Sequence, residues 1–206
     1  MKRLLLSIPL MALLAACAAE EPQSVTESEV QSSTIEQPVQ PVSPVNHASN
    51  EELISIKPSS LSIPKLDLEA PIKEFGLDKK GNMGLPDNGR DVAWFEPGFQ
   101  PGEKGNAVLA GHVDDEKKPA VFFELNELEP GDEIHLQDED GAILTFVVRE
   151  KVAYQKDDAP LRTIFGPSEK RMLNLITCTG YFDREIHNYV ERLVVYTELV
   201  EENKGI

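Results

Sequence analysis

Between residues 58 and 206, apolar positions alternate with polar ones far more often than they recur at helical spacing. Leu61, Ile63 and Leu66 alternate loosely with polar partners, as in a half-buried strand broken at Pro64. Ile72 and Phe75 predict the start of a second strand. The short run Ala107 to Ala110, ending at Gly111, predicts an inner strand. Glu133 to Leu136 and Ile143 to Ala153 predict two strands joined through 138–141, with Phe146 and Val148 on one face and Val147 on the other. Leu173 to Thr177 and Leu193 to Leu199 predict two more. One helix is expected from Pro119, because Val121, Phe122, Leu125 and Leu128 fall three or four apart before Pro130 and Gly131 stop it. Many strands, few helices and no βαβ alternation favour an antiparallel barrel or sandwich over a doubly wound sheet.

The region before residue 58 has a different pattern. Lys2 and Arg3 precede an apolar run from Leu4 to Leu14, then Ala15, Ala16 and Cys17. The run is too short to span a bilayer comfortably and is laid out as an export signal over 1–16. From 17 to 57, scattered apolar residues, four prolines and seven acids against one lysine predict an acidic, disordered tether. The domain proper is then 58–206. The whole chain carries a net charge of −16, which excludes the basic surface that nucleic-acid binding requires.

Two cysteines are present. If Cys17 is consumed at the export signal, Cys178 is the only thiol of the mature chain and no internal disulfide can form. A lone thiol outside the cytosol is either a buried structural residue or a reactive one. His112 follows one predicted strand, Cys178 follows another, and Arg192 precedes a third. A histidine can remove the thiol proton, and an arginine can hold the oxygen of an acyl-transfer intermediate. From the residues alone the histidine stays open between His112 and His187, with His112 favoured because a strand leads into it. His47 falls in the tether, and His135 alternates with Ile134 and Leu136 as a surface position. Thr177 and Trp94 are candidate groove residues, although the aromatic group of Trp94, Phe95 and Phe99 also suits a loop-anchoring core. Neither a zinc motif nor a phosphate loop is present, so no metal and no cofactor is expected. Asp114, Asp115 and Glu116 lack EF-hand spacing and would hold calcium only loosely.

Taken in order, Ser62 to Leu66, Pro101 to Val113, Leu175 to Cys178 and Arg192 to Tyr196 resemble the sortases, the cysteine transpeptidases of Gram-positive cell surfaces. The middle block, followed by Pro119 to Phe123 and Pro130 to Asp132, is most similar to class F. The resemblance implies an eight-stranded sortase β-barrel with His112 as general acid/base, Cys178 as nucleophile and Arg192 as the substrate- and oxyanion-binding residue. It also implies cleavage of an LPxTG-like sorting signal between Thr and Gly, through a thioacyl enzyme resolved by an amine or by water. Leu14 to Cys17 resembles a lipoprotein lipobox, which implies a palmitate-type lipid on Cys17 and a domain held at the extracytoplasmic face of the membrane. The alternatives at that point are an ordinary secretion signal cut near Ala16 and an uncleaved anchor.

Two departures stand out. The family often has Thr four residues ahead of the nucleophile, where this chain has Asn174, and sortases usually carry a transmembrane anchor. The rival readings are a surface-tethered binding or assembly lipoprotein without turnover, and an L,D-transpeptidase. The latter lacks support because no histidine adjoins Cys178. Substrate, acceptor and oligomeric state are not legible in the chain.

Overall fold

The structure is a computed structural model that describes residues 55–115 and 118–200. The export signal, Cys17 and nearly all of the tether lie outside the described residues. Eight strands among the described residues close a barrel. They are β1 (Pro58–Ile63), β2 (Leu68–Phe75), β3 (Val92–Phe95), β4 (Gly105–Ala110), β5 (Glu133–Asp138), β6 (Ile143–Gln155), β7 (Arg171–Asp183) and β8 (Asn188–Leu199). Around the barrel they run β1-β2-β3-β4-β7-β8-β6-β5, and β5 pairs with β1 to close it. β2 with β3 and β4 with β7 are parallel, while the other neighbours are antiparallel.

The alternation seen in the sequence decides which side chains fill the barrel, because successive residues of a strand face opposite sides. Ala107 and Leu109 of β4, Leu173 and Leu175 of β7, and Leu193 and Val195 of β8 point inward, where they meet Phe146 and Val148 of β6. The intervening residues Val108, Val194 and Tyr196 face outward and build a second, smaller apolar cluster on the outer wall. An irregularity in the β6–β8 pairing between Val148 and Glu150 inserts one extra residue. Val152 and Tyr154 therefore join the outer cluster while Phe146 and Val148 remain inside.

The helix expected from Pro119 is not formed. Its apolar residues Phe122, Leu125 and Leu128 are fully buried, but only Leu125–Glu127 is helical, as one 3-10 turn. The backbone N–H groups that would begin an α-helix donate elsewhere: Val121 to Gly89 O at 2.7 Å, Ala120 to Val113 O at 3.1 Å, and Phe122 to His112 O at 3.0 Å. Tertiary acceptors outcompete the local ladder, and the spacing of three and four reflects burial of a coiled segment. Two elements had no sequence signal strong enough to predict them: β3, and a five-residue helix α1 (Leu161–Phe165) that packs on the outer cluster through Ile164 and Phe165.

Candidate active site

β4, β7 and β8 lie side by side and carry the candidate residues on their outer face. In the β7–β8 register Ile176 opposes Val194 and Cys178 opposes Arg192, so all four share the side turned away from the barrel core. In the parallel β4–β7 register Ala110 is opposite Ile176, which leaves His112 just beyond the end of β4 and beside the thiol strand. Cys178 and Arg192 thus fall within strands rather than at their ends. The hairpin continues past both, to Asp183 on one side and back from Asn188 on the other.

His112 is held by its own backbone and by its neighbours. The Gly111 N–H donates to Ile176 O at 3.1 Å, and the Thr177 hydroxyl donates to Gly111 O at 2.9 Å. The next peptide carbonyl, that of His112, accepts from Phe122. Gly111 is required for close approach: a Cβ there would lie 2.7 Å from both Phe122 Cδ2 and Val121 Cγ1. The His112 ring pairs with Pro86 O at 2.9 Å through Nε2. A carbonyl only accepts, so this contact places a proton on Nε2.

The Arg192 guanidinium folds back along the start of its own strand, β8. Its Nη1 donates to Tyr189 O at 2.9 Å and Glu191 O at 2.8 Å, and its Nη2 donates to Asn188 Oδ1 at 3.0 Å. Three of the five guanidinium N–H groups are thereby used in orientation. The Tyr189 hydroxyl donates to Asp114 Oδ2, joining the start of β8 to the segment after His112. That bond, with burial and the negative charge of Asp114, pushes the Tyr189 phenol up to about 12.

Burial pushes the Cys178 thiol above its ordinary value, Arg192 pulls it back, and Asp114 adds to the rise. The net direction is upward, so the thiol is neutral at pH 7 and needs a proton acceptor before it can attack. Cys178, His112, Arg192 and Asn188 line one open groove of about 600 Å³. Its floor is Ala110, Ile176 and Val194, and its far wall comes from residues 156–165, including Leu161 and Ile164. The lining joins the candidate residues to apolar side chains and to Asn82, Lys156 and Asp157.

The two candidate groove residues do not line it. Trp94 is 2 % exposed and faces the barrel interior, because it pairs with Leu109, whose side chain is inside. Thr177 is 4 % exposed, since it has the inward parity of Leu173 and Leu175, and its hydroxyl is spent on Gly111 O. It positions the segment before His112 instead. His187 occupies the turn between β7 and β8 in a left-handed conformation (φ 50°) and is not among the groove residues. His135 pairs with Thr145 Oγ1 on β6 at 3.0 Å, part-buried on the barrel wall. Sequence reasoning missed Asn188, Tyr189 and Asp114 as partners of the site. Of these only Asp114 was singled out from the sequence, and there as a loose calcium ligand with Asp115 and Glu116 rather than as a partner of the site. Asn174, the departure from the family pattern, is wholly buried on the outer wall.

A family model described as the sortase domain matches residues 61–200. This chain belongs to the sortase family. Among curated sortases it is similar to Sortase D of Bacillus subtilis (strain 168), 32 % identical over 140 residues that cover 68 % of this chain and 62 % of the relative. It is also similar to Sortase SrtE1 of Streptomyces coelicolor, 34 % identical over 154 residues covering 69 % of this chain and 40 % of the relative. The matched stretch is thus less than two thirds of either relative's length. In fold, this sortase is similar to sortase C1 from Streptococcus agalactiae (TM-score 0.56, 23 % identity, 70 % of this chain and 68 % of that one). It is likewise similar to Sortase A from Corynebacterium diphtheriae (TM-score 0.55, 21 % identity, 74 % and 64 %).

Proposed function

We propose that this sortase is a cysteine transpeptidase that cleaves an LPxTG-like sorting signal and passes the acyl group to an amine or to water. The observation that carries the reading is the register pair Cys178–Arg192 on one groove with His112. Membership in the family supports the reaction class. In this reading the Cys178 proton passes to His112 and the sulfur attacks the threonine carbonyl carbon. The carbonyl oxygen gains negative charge and accepts from the two Arg192 N–H groups not used in orientation, where they stabilise the transition state more than the ground state. The C–N bond then breaks, His112 protonates the departing glycine amine, and the acyl group remains as a thioester on Cys178. Attack by an incoming amine or water, with the proton again taken by His112, regenerates the thiol. No cofactor or metal enters this cycle. The partners are the sorting-signal peptide and the amine acceptor.

The neutral resting thiol fits this order of events, because proton transfer and attack are then coupled to substrate binding. The class F assignment rests on the block 101–113 and the segments that follow it. The proposed setting is the outer face of a Gram-positive membrane, with lipid on Cys17, the tether over 17–57 and the catalytic domain over 58–206.

The test is incubation with an LPxTG peptide, with and without added amine, followed by mass spectrometry of the protein. An acyl adduct on Cys178 and complete loss of cleavage in Cys178→Ala are expected. Cleavage that persists after full alkylation of Cys178 overturns the nucleophile. Saturable peptide binding with no adduct points to the tethered binding protein instead.

A further inference from the structure

The far wall of the groove rests on a helix too short to hold itself. A five-residue helix has barely one turn of internal hydrogen bonds, far below the length at which a helix is stable alone. Its last carbonyls have no intrahelical donor and must find one elsewhere. Two buried carboxamides from the barrel wall supply it. Asn174 on β7, 0 % exposed, donates Nδ2–H to Ile164 O at 2.7 Å and to Asn106 Oδ1 at 3.2 Å. Asn106 on β4, 6 % exposed, donates its own Nδ2–H to Gly166 O at 2.7 Å. The acceptors Ile164 O, Asn106 Oδ1 and Gly166 O fix which end of each amide faces the helix, while Asn174 Oδ1 is buried without a hydrogen-bond partner. Gly166 completes the arrangement, since a Cβ there would meet Arg162 O at 2.3 Å.

The two asparagines stand opposite the reactive residues along the same strands. Asn174 precedes Cys178 by four residues on β7, and Asn106 precedes His112 by six through β4. Both share the outward parity of Cys178, so one rigid pair of strands carries the candidate reactive residues and the clamp on the α1 wall together. We propose that Asn106 and Asn174 are positioning residues that set peptide affinity. They fix α1, and thereby the Leu161 and Ile164 side of the groove, at a set distance from the thiol. The proposal rests on the groove being the peptide site. It concerns the wall alone: neither amide touches Cys178, His112 or Arg192.

The clamp makes a prediction that separates wall from chemistry. Removing it takes the side-chain donors from Ile164 O at the end of α1 and from Gly166 O just beyond it, which favours release of α1. A peptide must then bear the cost of ordering the wall. A small alkylator, which needs only the thiol, does not.

The experiment uses the full chain purified in detergent. Asn174→Ala is compared with wild type by peptide-cleavage kinetics, by the iodoacetamide reaction rate at Cys178, and by amide hydrogen exchange over residues 159–166. The expected result is a rise in KM of about tenfold with kcat changed by less than about threefold. Alkylation stays within about twofold, and exchange of the Thr163, Ile164 and Gly166 amides speeds about tenfold. Unchanged KM with unchanged exchange overturns the clamp, as does a fall in kcat with KM unchanged, which marks general loss of folded protein. Should Asn174→Ala fail to melt cooperatively, Asn106→Ala removes the bond to Gly166 and is expected to raise KM and local exchange in the same direction by about threefold. If wild type cleaves no peptide at all, the proposed activity fails, while the exchange measurement still decides the clamp.

Discussion

The interior of the barrel and its outer wall are made from the same strands, yet they are organised on different principles. Inside, Leu109, Leu173, Leu175, Phe146 and Val195 pack with almost no exposed surface, and any volume-conserving apolar set would serve. Outside, polar side chains are set by particular partners: Arg192 by Asn188, Tyr189 and Glu191, Asp114 by Tyr189, and the Asn174 Nδ2 by Asn106 and Ile164. The inner face is specified by hydrophobicity and the outer face by hydrogen-bond geometry. Stability and reactivity are thus separable to adjacent residues of one strand.

The sharpest way to break this division is to truncate neighbours on opposite faces. Leu175→Ala, inside, is expected to lower stability by about 2–5 kcal/mol through the cavity it leaves, with KM of the folded fraction unchanged. Ile176→Ala, next to it on the groove floor, should cost less stability and raise KM. Thermal melts and steady-state kinetics check both, and equal KM effects would erase the distinction. A smaller effect is expected where the faces meet. Gly111→Ala drives a methyl to 2.7 Å from Phe122 and Val121, so a loss of about 1–3 kcal/mol should accompany displacement of His112 and a fall in kcat.

The smallest effects concern the thiol alone. Burial holds Cys178 above its ordinary pKa of 9.0, so its alkylation rate should climb with pH and bend only beyond that value. Arg192→Ala removes the cation that opposes the rise, which raises the inflection and slows alkylation at pH 7. Asp114→Asn removes a carboxylate that contributes to it, which lowers the inflection and gives a slighter acceleration. Both variants should melt close to wild type, because the groups they alter are on the outer wall. Iodoacetamide rates from pH 6 to 10 test the two signs, and a shared direction would contradict the electrostatic account.

Much of the strand pattern was legible because it is local. Alternation at 143–148, the apolar runs at 107–110 and 173–177, and the ordered motifs around His112, Cys178 and Arg192 depend only on nearby residues. The expected helix at 119 failed for the opposite reason. Its hydrophobic spacing was correct as a burial pattern, but distant carbonyls of Gly89, Val113 and His112 took the amides that a helix needs. Trp94 and Thr177 failed similarly, since which face of a strand a residue occupies depends on the register of its neighbour. Asn174 read only as a departure from the family pattern until the carbonyls of α1 gave its amide a use.

By itself the chain determined that strands dominate and where most of them fall, and it offered Cys178, Arg192 and either His112 or His187 as candidates for acyl transfer. The family motifs are short contiguous strings, and side-chain periodicity is a property of one strand. Only the tertiary structure decided that β4 lies parallel to β7, that Cys178 opposes Arg192 across the hairpin, and that two asparagines close on a helix sixty and ten residues away. Those are pairings between separated segments. Their register is fixed by closure of the whole barrel, and no local pattern encodes it.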